Sequence, residues 1–116
     1  MSDIETEITV LVLTYNPKWK SLKKTLSSIL EQVDILFEVI VSDDGSSDFN
    51  RTEIEQFFLD NKFNNYIILD NKVNRGTVNN VRHAITYVKS RYIKLISPGD
   101  YFYSNTSLKY AVDFLK

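Results

Sequence analysis

Phe37 to Asp48 reads FEVIVSDDGSSD. Its apolar residues, Phe37, Val39, Ile40 and Val41, are mostly β-branched and run straight into two adjacent carboxylates, which Gly45, Ser46 and Ser47 follow at once. A short run of this kind, bounded by Gly and Ser, predicts a strand covered on both faces that opens into a polar turn. In an open parallel sheet, ligands bind outside the carboxyl ends of such strands. Asp43 and Asp44 stand at that end. The plainer reading is that Asp before Gly and Ser makes a turn or caps the next helix, and position in the sheet is what separates the two.

Toward the N-terminus, Ile8 to Leu13 (ITVLVL) predicts a first strand, stopped by Thr14, Tyr15, Asn16 and Pro17, because Pro lacks a donor and disfavours helix before it. Met1 to Glu7 is polar and reads as loose. Between the two strands, Leu22, Leu26, Ile29, Leu30 and Val33 recur at helical spacing. Toward the C-terminus, Ser46, Ser47 or Asp48 is the expected cap of a second helix whose buried face is Ile54, Phe57 and Phe58. Tyr66 to Leu69 predicts a third strand, closed by the polar run Asp70 to Gly76. Val78, Val81, Ile85 and Val88 predict a third helix ending near Ser90, buried along that stripe. Tyr92 to Ile96 predicts a fourth strand broken at Ser97, Pro98 and Gly99. Asn105 or Thr106 is the expected cap of a last helix bearing Leu108, Val112 and Leu115.

Strand and helix thus alternate four times with short connections. The fold class that follows is α/β, a Rossmann-like parallel sheet with helices on both faces, since each right-handed crossover lays its helix on the sheet. Polar clusters follow three of the strands, at 14–16, 43–46 and 97–100. If those strands are parallel neighbours, the clusters share one edge, which is the candidate site.

The 116 residues bound the chain to one domain or part of one. Apolar residues at 43% and charged residues at 25% describe a globular rather than a disordered chain. A formal net charge of -1 argues against nucleic acid as a partner, and basic pairs such as Lys23 and Lys24 read as solvated helix faces. The absence of cysteine excludes thiol nucleophiles, disulfides and thiolate zinc sites. The longest apolar run is far shorter than the roughly 20 residues of a membrane helix, and no signal segment precedes it. The expected location is the cytoplasm, the inner face of the membrane included.

Each polar cluster has a functional and a plain reading. Tyr15 can stack on a planar base, or simply edge the core, and Asn16 can bond the turn. Asp100 follows a Pro-Gly bend that presents its carboxylate, or is a turn residue. Asn74 and Gly76 open the third helix, whose first amides can face an anion, though a cap with a permissive Gly is the simpler reading. His83, the one histidine, has no triad or ligand partner at a defensible spacing and reads as helix surface. Trp19 reads as a staple over the first helix. No G-x-G-x-x-G and no P-loop occurs, so phosphate is not cradled by a glycine loop.

LVLTYNP at 11–17, VIVSDDGSSD at 39–48, NRG at 74–76 and YIKLISPGDYF at 92–102 together resemble, in order and spacing, the family 2 glycosyltransferases. The resemblance covers most of the chain. It implies the GT-A fold and a donor-binding role toward a nucleoside-diphosphate sugar, UDP-linked, for inverting transfer to a hydroxyl of a glycan or lipid-linked acceptor. Matched residue by residue, the nucleotide-sugar positions are Thr14, Tyr15, Asn16, Asp43, Asp44, Gly45 and Asp100. Tyr15 resembles the aromatic that packs on the base, Asp44 the carboxylate that accepts from the imide N–H, and Asp43 its neighbour.

The chain departs from the family pattern in two ways. The acidic D-x-D positions are here Ser97 and Gly99, so of the Mg²⁺ or Mn²⁺ ligands the resemblance implies, only the trailing Asp100 remains. The family's general base lies in a following half, so residues 1–116 are expected to be a single nucleotide-sugar-binding domain, the N-terminal part of a longer one, with the base beyond residue 116 and no transfer by these residues alone. The rival expectation is a noncatalytic interaction module that keeps the sheet without the chemistry. A phospho-accepting receiver domain ranks below both, because the acidic pair follows the second strand rather than the first and no fifth strand follows.

Overall fold

A computed structural model describes residues 6–116; the reading of Met1 to Glu7 as loose falls mostly outside them. The elements are β1 (Ile8–Thr14), α1 (Trp19–Leu30), β2 (Phe37–Asp44), α2 (Arg51–Asp60), β3 (Tyr66–Asn71), α3 (Thr77–Ile85), β4 (Tyr92–Ile96) and α4 (Ser107–Leu115). The four strands form one parallel sheet in the order β3-β2-β1-β4. This is the expected alternation, and its order fixes where a ligand can sit. The chain steps outward from β1 to β2 to β3, then returns across the sheet to set β4 on the other side of β1. Right-handed crossovers in opposite directions put their helices on opposite faces.

The core divides accordingly. Ile8, Val10 and Val12 of β1 join Val39, Val41, Ile68 and Ile96 under Leu22, Leu26 and Ile29 of α1, Ile54, Phe57 and Phe58 of α2, and Leu108 and Val112 of α4. The alternate residues Leu11, Ile40 and Leu69 pack with Ala84 of α3, flanked by Leu13, Ile67 and Val88. Period-two alternation with apolar residues on both faces is what makes β1 and β2 read as continuous hydrophobic runs.

The strands run further than the apolar runs do. Thr14 pairs with Asp43, Asp43 with Asp70, and Asp44 with Asn71, so the acidic pair belongs to the ladder of β2 and not to the turn after it. All four helices depart from expectation. Asn50 caps α2, its Oδ1 accepting from Glu53 N at 3.0 Å, because Ser46 is engaged elsewhere. Val33 lies past the end of α1 and is exposed, and Leu115 on α4 is exposed as well. Trp19 is the first residue of α1 rather than a staple over it, and meets Phe57 edge-on at 6.0 Å.

The fourth departure is the largest. The stripe Val78, Val81, Ile85 and Val88 is not the buried face of α3: Val78 is 67% exposed and Ile85 44%, Val81 is half-buried, and the helix instead seats Asn80 and Ala84 on the sheet and ends at Ile85, with Val88 beyond it packed beside that core. α3 crosses β2 and β1. Small Ala84 permits close approach, while Asn80 is admitted by hydrogen bonds to Ser42, described below. β4, at the edge of the sheet among the described residues, is left uncovered on that side, with Ile93 40% and Leu95 47% exposed.

Candidate functional site

The carboxyl ends of all four parallel strands share one edge, and the order in which the chain lays down its strands reverses between β1 and β4. In open α/β sheets ligands bind outside such a point in the strand order; here the segments that follow β1 and β4 both turn to the face of α1. Thr14, Tyr15 and Asn16 flank that point from β1, and Ser97 to Asp100 from β4.

Asp43 is fully buried and organises the β1 side. Its carboxylate accepts from Thr14 Oγ1 at 2.7 Å, Ser46 N at 2.7 Å and Ser46 Oγ at 2.6 Å. Three donors meet the cost of burying a charge that would otherwise be prohibitive. The Ser46 hydroxyl also accepts from Asn16 N at 2.6 Å, and Asn16 Oδ1 accepts from Ser47 N at 3.3 Å. The Tyr15–Asn16 loop is therefore latched to the Asp-Gly-Ser-Ser turn, with Asn16 held at φ 48°. Thr14 is buried and committed to Asp43. Tyr15 is left with its ring 55% exposed, a free aromatic face on a fixed backbone.

Asp44 makes the second latch. Its Oδ1 accepts from Arg75 N at 2.8 Å and its Oδ2 from Gly76 N at 3.1 Å. These amides precede α3, in the loop and at its N-cap Gly76, and are not the first amides of the helix itself. Gly76, at φ 89°, turns the chain into α3. Gly45 is needed for a different reason: besides φ 80°, a Cβ there would lie 2.5 Å from Asn74 N and 2.6 Å from the carbonyl carbon of Val73. The turn and the 73–76 loop are in backbone contact. A carboxylate has about four acceptor sites and two are taken here, so Asp44 keeps capacity for a further donor, although its side chain is nearly closed to solvent.

Beneath this edge lies a polar network the sequence reading did not pick out. Ser42 Oγ donates to Asn80 Oδ1 at 2.6 Å, Asn80 Nδ2 donates to the Ser42 carbonyl at 3.1 Å, and Asn71 Nδ2 donates to the Asp43 carbonyl at 2.8 Å. An Asn between valines on a helix predicted to be amphipathic was its one visible signal.

On the β4 side, the turn after the strand is tied to α1. Gly99 N donates to Thr25 Oγ1 at 2.9 Å, and that hydroxyl donates to the Asp100 carbonyl at 2.6 Å. Phe102 N donates to Ser28 Oγ at 3.1 Å, Gln32 Nε2 to the Ser104 carbonyl at 2.7 Å, and Leu108 N to Gln32 Oε1 at 2.9 Å. Thr25, Ser28 and Gln32, all buried, thus form a polar spine that clasps residues 99–108. Polar residues at helical spacing beside the apolar stripe of α1 are the signal that could have revealed it. Asp100 itself is exposed. Hydrogen bonds join Thr14, Asn16 and Asp43 through Ser46, Asp44 makes its own latch to the amides of Arg75 and Gly76, Gly45 packs on the backbone of 73–74, and Asp100 lies on the far flank with no side-chain bond to any of them.

His83, half-buried, meets Tyr87 edge-on at 5.5 Å and lies away from these loops on α3. Among the described residues, no group of three His, Cys, Asp or Glu side chains could hold a metal ion. No helix of the described residues is long and apolar enough to cross a membrane.

Comparison with known proteins agrees with this architecture. The family model described as glycosyl transferase family 2 matches residues 9–116. A search of curated protein sequences found no match. Among solved structures, S. aureus TarS in complex with UDP superposes with a TM-score of 0.79 at 25% identity, over 95% of this chain and 32% of that one. The complex of TarS with UDP-GlcNAc gives 0.80 at 25% identity, over 95% and 31%. A mannosyltransferase from Pyrobaculum calidifontis, in complex with GDP-Man and Mn²⁺, gives 0.86 at 21% identity, over 97% and 33%, a likeness of fold. The chain spans about a third or less of the length of these structures.

Proposed function

Since the chain belongs to glycosyl transferase family 2, we propose that it is a donor-binding unit, holding a UDP-linked sugar at the strand-end edge between β1 and β4 for inverting transfer to a glycan or lipid-linked hydroxyl. The observation that carries this reading is the pair of latches made by Asp43 and Asp44: they fix two loops on the ligand edge and leave the ring of Tyr15 free. The nucleotides in the TarS complexes support the choice of UDP.

In this reading the base stacks on Tyr15, and its imide N–H enters the remaining acceptor site of Asp44. A planar base needs a face and an edge partner, and this pair supplies both. Thr14, Asn16, Asp43 and Gly45 position these two groups. Asp100 faces the diphosphate and sugar from the opposite flank. With Ser97 and Gly99 in the acidic positions, the residues present do not fit a protein-built Mg²⁺ or Mn²⁺ site, and no step here runs through an ion. Deprotonating the acceptor hydroxyl calls for a positioned base worth about 10² to 10⁴ in rate. Asp43 and Asp44 are already occupied by internal donors, so the reading assigns that base to neither, and these residues alone bind donor without transferring it.

Titration calorimetry with UDP tests the proposal. Binding should be measurable, should weaken about tenfold or more in Asp44→Ala, because a hydrogen bond to a charged group contributes roughly 1.5 to 3 kcal/mol, and should be unchanged in His83→Ala. The lost D-x-D carboxylates favour a second reading, a noncatalytic interaction module. No heat with UDP would decide for it.

A further inference from the structure

Asn80 is 4% exposed on a helix whose apolar residues Val78 and Ile85 are open to solvent. Two hydrogen bonds hold it to a single residue of β2: Ser42 Oγ donates to its Oδ1 at 2.6 Å, and its Nδ2 donates to the Ser42 carbonyl at 3.1 Å. Asn71 Nδ2 reaches Ser42 Oγ and Asn80 Oδ1 at 3.4 Å each. The backbone of Asn80 is committed as well, its N donating to the Gly76 carbonyl at 2.9 Å. Gly76 N in turn donates to Asp44 Oδ2, and Arg75 N to Asp44 Oδ1. Asp44 lies two residues after Ser42 in the same strand. The bonds therefore close a ring, from Ser42 to Asn80, to Gly76, to Asp44, and back along β2.

From this ring we propose that Asn80 is a positioning residue of the donor site, setting through α3 the direction in which Asp44 presents its remaining acceptor capacity. One amide on each oxygen fixes the plane of a carboxylate, so the plane of Asp44 follows residues 75 and 76. Those residues lead directly into α3, and a helix can be seated on a sheet by more than one of its faces. At about 100° per residue, the face of Asn80 and Ala84 and the face of Val78 and Ile85 are about a third of a turn apart. Apolar burial favours the second face, and the paired bonds to Ser42 hold the first. Ala84, one turn later on the same face and fully buried, shows that the seat needs no polar group for packing. Rotation of α3 would carry the two amides off Asp44. Because a hydrogen bond weakens steeply as its angle falls, such a rotation is felt as lost preference for bases that carry an N–H at the imide position.

The inference rests on the donor reading above, in which Asp44 accepts from the imide N–H of uracil. Its test compares UDP with CDP, whose cytosine has an acceptor nitrogen and no N–H at that position. The titrations use the full chain, Asn80→Ala and Ser42→Ala, under conditions where circular dichroism shows each to be folded. The parent should prefer UDP, Asn80→Ala should lose about fivefold or more of that preference, and Ser42→Ala, which keeps one of the two bonds, should lose less. Ser42→Ala carries the comparison should Asn80→Ala not fold. A purely structural loss lowers both affinities together and leaves their ratio unchanged. Without nucleotide, the amides of Arg75 and Gly76 should exchange about tenfold faster in Asn80→Ala, while Ser46 N, held by Asp43, keeps its protection. A parent that prefers UDP, with the ratio or the exchange at Arg75 and Gly76 unmoved in the variants, would overturn the role of Asn80 and leave the donor reading standing. A parent that binds no UDP, or binds CDP equally well, would overturn the donor reading and the role of Asn80 with it.

Discussion

Two adjacent carboxylates of the same type have different duties, and the difference lies in what their donors can do once released. Asp43 is sealed in with the Thr14 hydroxyl and with Ser46; Asp44 holds the amides of Arg75 and Gly76, which belong to exposed residues. Asp43→Ala leaves buried donors unpaired and should destabilise the chain by about 3 kcal/mol, whereas the loop amides released by Asp44→Ala find water and the loss should be about 1 kcal/mol. Urea unfolding of the two variants checks the order, and equal losses would contradict it. Gly45→Ala should lose at least about 2 kcal/mol, since a left-handed residue with a Cβ costs roughly 1–2 kcal/mol before any clash and its Cβ must also push the 73–74 backbone away. Because that push displaces the loop Asp44 holds, UDP affinity should fall in the same variant; a stable Gly45→Ala chain with parental affinity would refute the contact. Of all this the sequence displayed the residues but not their partners. Asp43, Asp44 and Gly45 are conspicuous in a row, yet a buried carboxylate is recognisable only when the distant Thr14 is known to face it.

The elements were legible wherever burial follows apolar periodicity, and misread wherever a buried polar group found a partner. β1, β2, the buried face of α2 and the position of every strand came from runs of Ile, Val and Phe. α3 was turned to the wrong side because its most regular apolar stripe is exposed while Asn80 is inside, a substitution of hydrogen bonding for hydrophobicity that a moment along one helix cannot anticipate. α1 carries the same principle as a spine, and there it can be tested. Thr25→Val keeps the volume but removes the donor to the Asp100 carbonyl and the acceptor for Gly99 N. We expect a loss of about 1–2 kcal/mol together with faster hydrogen exchange at Gly99, while the amides of Arg75 and Gly76 keep their protection. Exchange at Gly99 as slow as in the parent would mean that the turn is held by something other than this spine.

At the scale of the whole molecule, a parallel sheet whose order places β1 inside and β4 outside gathers residues from the two ends of the chain on one edge, which is why sequence motifs far apart could be read as one site. The same order leaves β4 with one partner, β1, and with Ile93 and Leu95 open to solvent on the side α3 does not reach. An edge strand with apolar side chains is a template for pairing with another chain. Lys94 comes between those two in sequence and is exposed, its side chain leaving from the other face of the strand, that of its partner Val10. A charge on an exposed strand opposes pairing of one chain's edge with another's, so Lys94 is expected to keep these residues dispersed. Lys94→Thr, neutral and a good strand former, should lower the protein concentration at which light scattering rises, with UDP binding by the dispersed protein unaltered.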